Sequence, residues 1–125
     1  MNFEGLIPVI QCEHIEETLS FYQQALRYII INKTETEQGL QWAYLKSDNT
    51  FLMLQKKSPE SSTGNCSGNI LLHYYTSDIN AQHQFVVAKG FKASPIEETP
   101  YKLKQFFIED PEGNRLAIGQ TANEK

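Results

Sequence analysis

A single displacement of 64 positions lays the second half of this 125-residue chain over the first. It pairs His14 with Asp78, Ile15 with Ile79 and Phe21 with Phe85. The same displacement, without a gap, pairs Asp48 with Glu112, Leu52 with Leu116 and Leu54 with Ile118. One offset therefore aligns a helix start, a helix core and a closing strand. Repetition of this kind restricts the architecture more than any local propensity, because one supersecondary unit must serve twice.

The order of elements follows from the period of the apolar residues. Leu6 to Cys12 is apolar and β-branched, with Pro8 marking an edge or bulge, and reads as a strand. From Ile15 the spacing becomes helical: Ile15, Leu19, Tyr22 and Leu26 form a stripe that Thr18, Phe21 and Ala25 widen. Glu16 and Glu17 stand in the first turn, where the helix dipole favours acids. Strands are expected at Tyr28–Thr34, Leu40–Lys46 and Thr50–Lys56, the last two joined by a turn at 46–49. Residues 58–68 are polar and rich in breakers, and read as a linker. The order then recurs: a strand at Asn69–Tyr75, a helix capped by Ser77 or Asp78 and ended by Gly90, a short strand near Phe91–Ala93, and a loop from Ser94 to Lys102. The chain closes on a hairpin from Gln105 to Gln120 around Asp110-Pro111-Glu112-Gly113-Asn114. There Pro111 fixes φ, Gly113 supplies a positive φ, and Asp110 and Asn114 can bond nearby backbone. The fold expected is α+β: two βαβββ modules, about 3–57 and 68–120, joined by a linker at 58–67 within one domain spanning 1–125.

Composition removes several function classes. A formal charge of −4 with no basic stripe argues against nucleic acid. No apolar run approaches the ~18 residues of a membrane span. Cys12 and Cys66, without a CxxC or a signal peptide, fit a reducing cytoplasm and give neither a disulfide framework nor a zinc motif.

Two motifs then carry a resemblance. Pro8-Val9-Ile10 followed by Ile15-Glu16-Glu17-Thr18-Leu19-Ser20-Phe21-Tyr22, and Asp110-Pro111-Glu112-Gly113-Asn114 before the last strand, resemble the vicinal-oxygen-chelate superfamily. Its members include glyoxalase I, extradiol dioxygenases, fosfomycin-resistance enzymes and bleomycin-resistance proteins. His14 stands where that family usually has Asp, and Arg27-Tyr28 replaces its Gly-aromatic pair. The resemblance implies curved four-stranded sheets around a cleft, often completed across a homodimer. In metal-dependent members it also implies a His or Glu on the first and last strand of each module. Those positions fall here on Ile7, Met53, Leu71 and Ala117, none of which suits a hard or borderline divalent cation. No cofactor or metal is therefore expected.

Strand alternation, continued from those positions, gives the residues expected to share a binding face: Gln11, Trp42, Tyr44, Met53, His73, Tyr75, Phe107 and Arg115. Such a mixture of rings and a few polar groups suits a small-molecule pocket. Each also has a plainer role. His73 serves equally as a hydrogen-bonded wall residue, Trp42 as core, His83 and His14 as surface, Glu97 and Glu98 as a solvated pair. The expected function is metal-free binding of a planar or aromatic small molecule, neutral or cationic, although an inward Arg115 would equally suit a carboxylate or phosphate. The alternative is a metal-dependent lyase, isomerase or dioxygenase with displaced ligands, for which His73 and Glu109 would be the substitutes. A homodimer is expected because open sheets leave edges.

Overall fold

The computed structural model describes residues 2–57, 70–100 and 102–121, so the expected linker lies outside the described residues. The chain divides into two compact units, Met1–Asn65 and Cys66–Lys125. Each holds one helix and one mixed four-stranded sheet, an α+β architecture of two βαβββ modules.

In the first unit the order is β1 (Val9–Cys12), α1 (Ile15–Leu26), β2 (Ile29–Thr36), β3 (Gly39–Ser47) and β4 (Thr50–Lys56). The sheet order is β1-β4-β3-β2, with β1 parallel to β4 and the other pairs antiparallel. β1 is shorter than the run from Leu6: pairing begins where the Pro8 carbonyl accepts from the Met53 amide at 3.0 Å, and Leu6 is exposed. α1 lies on β3 and β4, covering Ala43, Leu45, Leu52 and Leu54. Its buried stripe is Ile15, Thr18, Phe21, Tyr22 and Ala25, whereas Leu19 and Leu26 flank it, half-exposed. The helix has a poor cap at each end. His14 makes no side-chain cap bond, and Arg27 takes the left-handed conformation at φ 61°, where glycine would carry less strain.

The second unit repeats the plan with β5 (Leu72–Tyr75), α2 (Ile79–Ala88), β6 (Glu97–Glu98), β7 (Leu103–Glu109) and β8 (Arg115–Thr121), in the sheet order β5-β8-β7-β6. Asp78, rather than Ser77, caps α2, its Oδ1 accepting from the Ala81 amide at 3.1 Å. Gly90, at φ 93°, ends it: the Gly90 and Phe91 amides donate to the Val87 and Val86 carbonyls. The strand expected near Phe91–Ala93 does not form. Instead, two residues of the expected loop, Glu97 and Glu98, pair with Gln105 and Lys104 at the edge of β7. The cause lies at Ser94, whose amide donates to the Phe107 carbonyl while its hydroxyl oxygen takes the Phe107 amide at 2.8 Å. A side chain thus occupies the place of a ladder bond, and Pro95 has no amide to continue it.

The closing turn is built around a buried carboxylate. Asp110 is 3% exposed, and its oxygens accept from the Glu112 amide (2.9 Å), the Asn114 amide (2.8 Å) and Asn114 Nδ2 (3.1 Å). Gly113, at φ 90°, supplies the conformation that other residues resist. Asp110→Ala is expected to lower stability by about 2–4 kcal/mol, since it leaves backbone donors unpaired in a covered site. Asp110→Asn, which keeps an acceptor oxygen, should cost less. Urea unfolding checks this, and an Ala variant with the wild-type midpoint would refute it.

Candidate functional site

The positions at which the superfamily carries metal ligands can be tested directly. Ile7 precedes β1, Met53 lies beside Val9 in the β1–β4 register, Leu71 precedes β5, and Ala117 lies beside His73 and Phe107. These four residues offer no imidazole, carboxylate or thiolate, so the donor set does not fit a divalent cation. Among the described residues, no group of three or more His, Cys, Asp or Glu is arranged to hold a metal ion. His73 and Glu109 do not replace the missing donors. His73 stands level with Ala117 and Phe107, whereas Glu109 stands on the next row, opposite Arg115.

In the first unit, the sheet face away from α1 carries the side chains that alternate with the core. Its rows follow from register: Gln11, Gln55, Trp42 and Thr34 form one, and Val9, Met53, Tyr44 and Asn32 the next. Gln11, Trp42, Tyr44 and Met53, expected together from sequence, therefore share adjacent rows. Trp42 stacks on Tyr44 at 6.2 Å and 25°, and Tyr44 leans on Phe51 at 6.0 Å and 31°. The three rings form a half-buried ladder across two strands. Gln11 Nε2 donates to Gln55 Oε1 at 3.2 Å, which fixes the amide pair at one end of it. Lys46 caps the other end, its ammonium 5.8 Å from the Phe51 ring centre.

In the second unit the equivalent face carries His73, Tyr75, Phe107 and Arg115. His73 meets Tyr75 with ring centres 4.7 Å apart, and Tyr75 is 72% exposed, so the pair is presented rather than packed. The imidazole lies over Gly119: a Cβ there would stand 2.8 Å from His73 Nε2. A side chain at this position would displace the ring from where it lies. The Arg115 guanidinium carbon sits 4.3 Å from the Phe107 ring centre, a cation–π contact.

Beside Phe107 and Arg115, within the second unit, is a cavity of about 430 Å³ lined by Phe91, Lys92, Ser94, Phe107, Ile108, Glu109, Asp110 and Arg115. Strand alternation points to Phe107 and Arg115 but not to Phe91, Lys92 or Ser94, which the sequence places in a short strand and a loop. The one available signal was the break at Ser94-Pro95, where an extended edge has to leave the ladder. His83, expected at the surface, is half-buried: its Nε2 lies 2.9 Å from the Ser94 carbonyl oxygen, and its ring stands edge-on to Phe106 at 4.8 Å. It thus braces the segment that forms the cavity wall. Cys12 is fully buried, its thiol directed to the Ile10 carbonyl, as a small core residue would be.

Several solved structures share this fold across nearly the whole chain. TioX from Micromonospora sp. ML1 superimposes with a TM-score of 0.77 at 15% identity, covering 95% of this chain and 99% of its own. TnmS3, an antibiotic binding protein from Streptomyces sp. CB03234, gives 0.76 at 19%, covering 97% and 98%. A lactoylglutathione lyase from Agrobacterium tumefaciens gives 0.73 at 16%, covering 98% and 97%. No curated protein sequence matches the chain. The sequence model of one family does match, over residues 7–118, which is most of the chain and includes both modules. The chain belongs to the glyoxalase/bleomycin resistance protein/dioxygenase superfamily.

Proposed function

We propose that this protein is a metal-free, cytoplasmic small-molecule-binding member of its superfamily, holding a planar ligand against an open, aromatic sheet face. The modules are taken as about 3–57 and 68–120 of one domain. The observation that carries the reading is the Trp42–Tyr44–Phe51 ladder, which lies beside Met53 where a metal-dependent relative would place a ligand. Ring surface takes the place of a cation there, and stacking adds about 0.5–1.5 kcal/mol per ring pair beyond burial. Gln11, His73 and Tyr75 supply orienting groups. The His73 ring makes no hydrogen bond to other described residues, which leaves it bonding capacity for a ligand. The antibiotic binding for which the similar TnmS3 is known supports a binding rather than a catalytic role. A homodimer is part of the proposal. β2 is an edge strand bearing exposed Ile29 and Ile31, and such an edge is ordinarily covered.

Trp42 is the only tryptophan, so its emission reports on one place. Quinoline or N-methylquinolinium is expected to change that emission saturably, and Tyr44→Ala to weaken the change about fivefold or more, the loss of one stacked ring. A strictly linear, unsaturable quench by both compounds would remove the binding reading. Protein purified without a tag should carry no stoichiometric divalent metal. About one equivalent of zinc, nickel, manganese or iron per chain would revive the enzyme alternative. Light scattering at micromolar concentration should give the mass of two chains; the mass of one would contradict the dimer.

A further inference from the structure

The cavity of the second unit has a chemistry of its own. We infer that it is an oxyanion site, taking the carboxylate or phosphate of a ligand whose body is apolar. The inference rests on the proposed small-molecule binding, at the face where Phe107 and Arg115 are expected to meet a ligand, and adds the charge of what binds there.

Three donors reach this cavity from three separate segments: Lys92 after α2, Ser94 before β6, and Arg115 at the start of β8. Arg115 lies over the Phe107 ring, its guanidinium carbon 4.3 Å from the centroid, and its side-chain N–H groups donate to no other described residue. The ion pairs among the described residues, Lys33–Glu35 and Lys57–Glu13, do not include Arg115 or Lys92. Ser94 takes the Phe107 amide on its hydroxyl oxygen, while its own proton has only the Pro95 carbonyl at 3.5 Å, a long contact that an oxyanion would outcompete.

Two acids also line the cavity, and their geometry explains why they do not cancel it. Asp110 is nearly fully buried, with its oxygens taken by the donors of its own turn. Glu109 stands opposite Arg115 in the β7–β8 register, yet its Oε2 is turned toward Gly113, 4.0 Å from where a Cβ would stand there. The remaining walls, Phe91, Phe107 and Ile108, are apolar. A volume of about 430 Å³ falls within the range of small-ligand pockets and admits one substituted ring. Cationic donors and ring surface lining one cavity match an aromatic or acyl acid.

The test is NMR titration of the full chain, following Arg115 Nε–Hε and the Ser94 and Phe107 amides. Benzoate, phenyl phosphate, benzyl alcohol and benzylamine share one ring and differ in the attached group. Benzoate or phenyl phosphate should shift these signals saturably and bind at least tenfold tighter than benzyl alcohol, and the stronger of the two names the natural headgroup. Arg115→Gln should weaken that binding tenfold or more, added salt should weaken it further, and Glu109→Gln should strengthen it. Phe107→Leu keeps the charge and frees the guanidinium. It should cost several-fold in affinity, which a mere charge effect would not produce. Tighter binding of benzylamine, or benzoate binding unaltered in Arg115→Gln, would overturn the inference. Because the signals belong to the second unit, their silence beside a responsive Trp42 would refute the oxyanion site alone and leave the binding proposal standing.

Discussion

Each module lays one helix across four strands, and this shortage of cover organises everything else. A helix is about 10 Å across and strands are spaced about 4.8 Å apart, so a single helix shields roughly two strands on one face. In the first unit those are β3 and β4, and in the second β7 and β8. Residues facing the helix are accordingly small or aliphatic and buried: Ala43, Leu45, Leu52 and Leu54 in one sheet, Leu116 and Ile118 in the other. The opposite face is released from the demands of the module's own core. It can carry Trp42, Gln11, His73 or Arg115, side chains that a two-sided core would have to pair or exclude. The same division explains how the superfamily's metal positions can be lost without loss of fold. Met53 and Ala117 stand on faces where an apolar residue is as well tolerated as a ligand.

Much of this was legible because it depends on local period and on turn chemistry. Both helices begin at the residues their spacing indicates, Ile15 and Ile79, and the closing turn uses Asp110 and Gly113 in the roles their side chains suggest. By register the eight candidate residues lie four on one face of each sheet. What sequence did not disclose is set by partners distant in the chain. A two-residue strand such as β6 has no period to detect, and it exists because β7 offers an edge at Gln105 and Lys104. The cavity donors Lys92 and Ser94 belong to that same segment and were obscured with it. His83 was misjudged for a similar reason: its burial comes from Ser94 and Phe106, neither of which is its neighbour in the helix.

The two faces differ in how their polar groups are held. Gln11 is tied to Gln55, so its amide has one partner already. His73 lies over Gly119 with its ring against Tyr75, and its nitrogens make no hydrogen bond to described residues.

The repeat itself is less uniform than one offset suggests. Val9 opposite Met53 and His73 opposite Ala117 are related by 64 positions in both strands. Tyr44 opposite Met53 corresponds, however, to Phe107 opposite Ala117, so the middle strand is displaced by 63. The closing turn takes up the difference, with three residues between the bonded Asp110 and Asn114 where the paired Ser47 and Thr50 enclose two. Since neighbouring residues on a strand point to opposite faces, that single step has a practical outcome for anyone building chimeras of the two halves. Grafting β3 onto β7 by the constant spacing would set Trp42 in place of Phe106, which is completely buried, whereas its true counterpart is Gln105 on the open side. The halves of this protein are interchangeable only by hydrogen-bond register, not by counting residues.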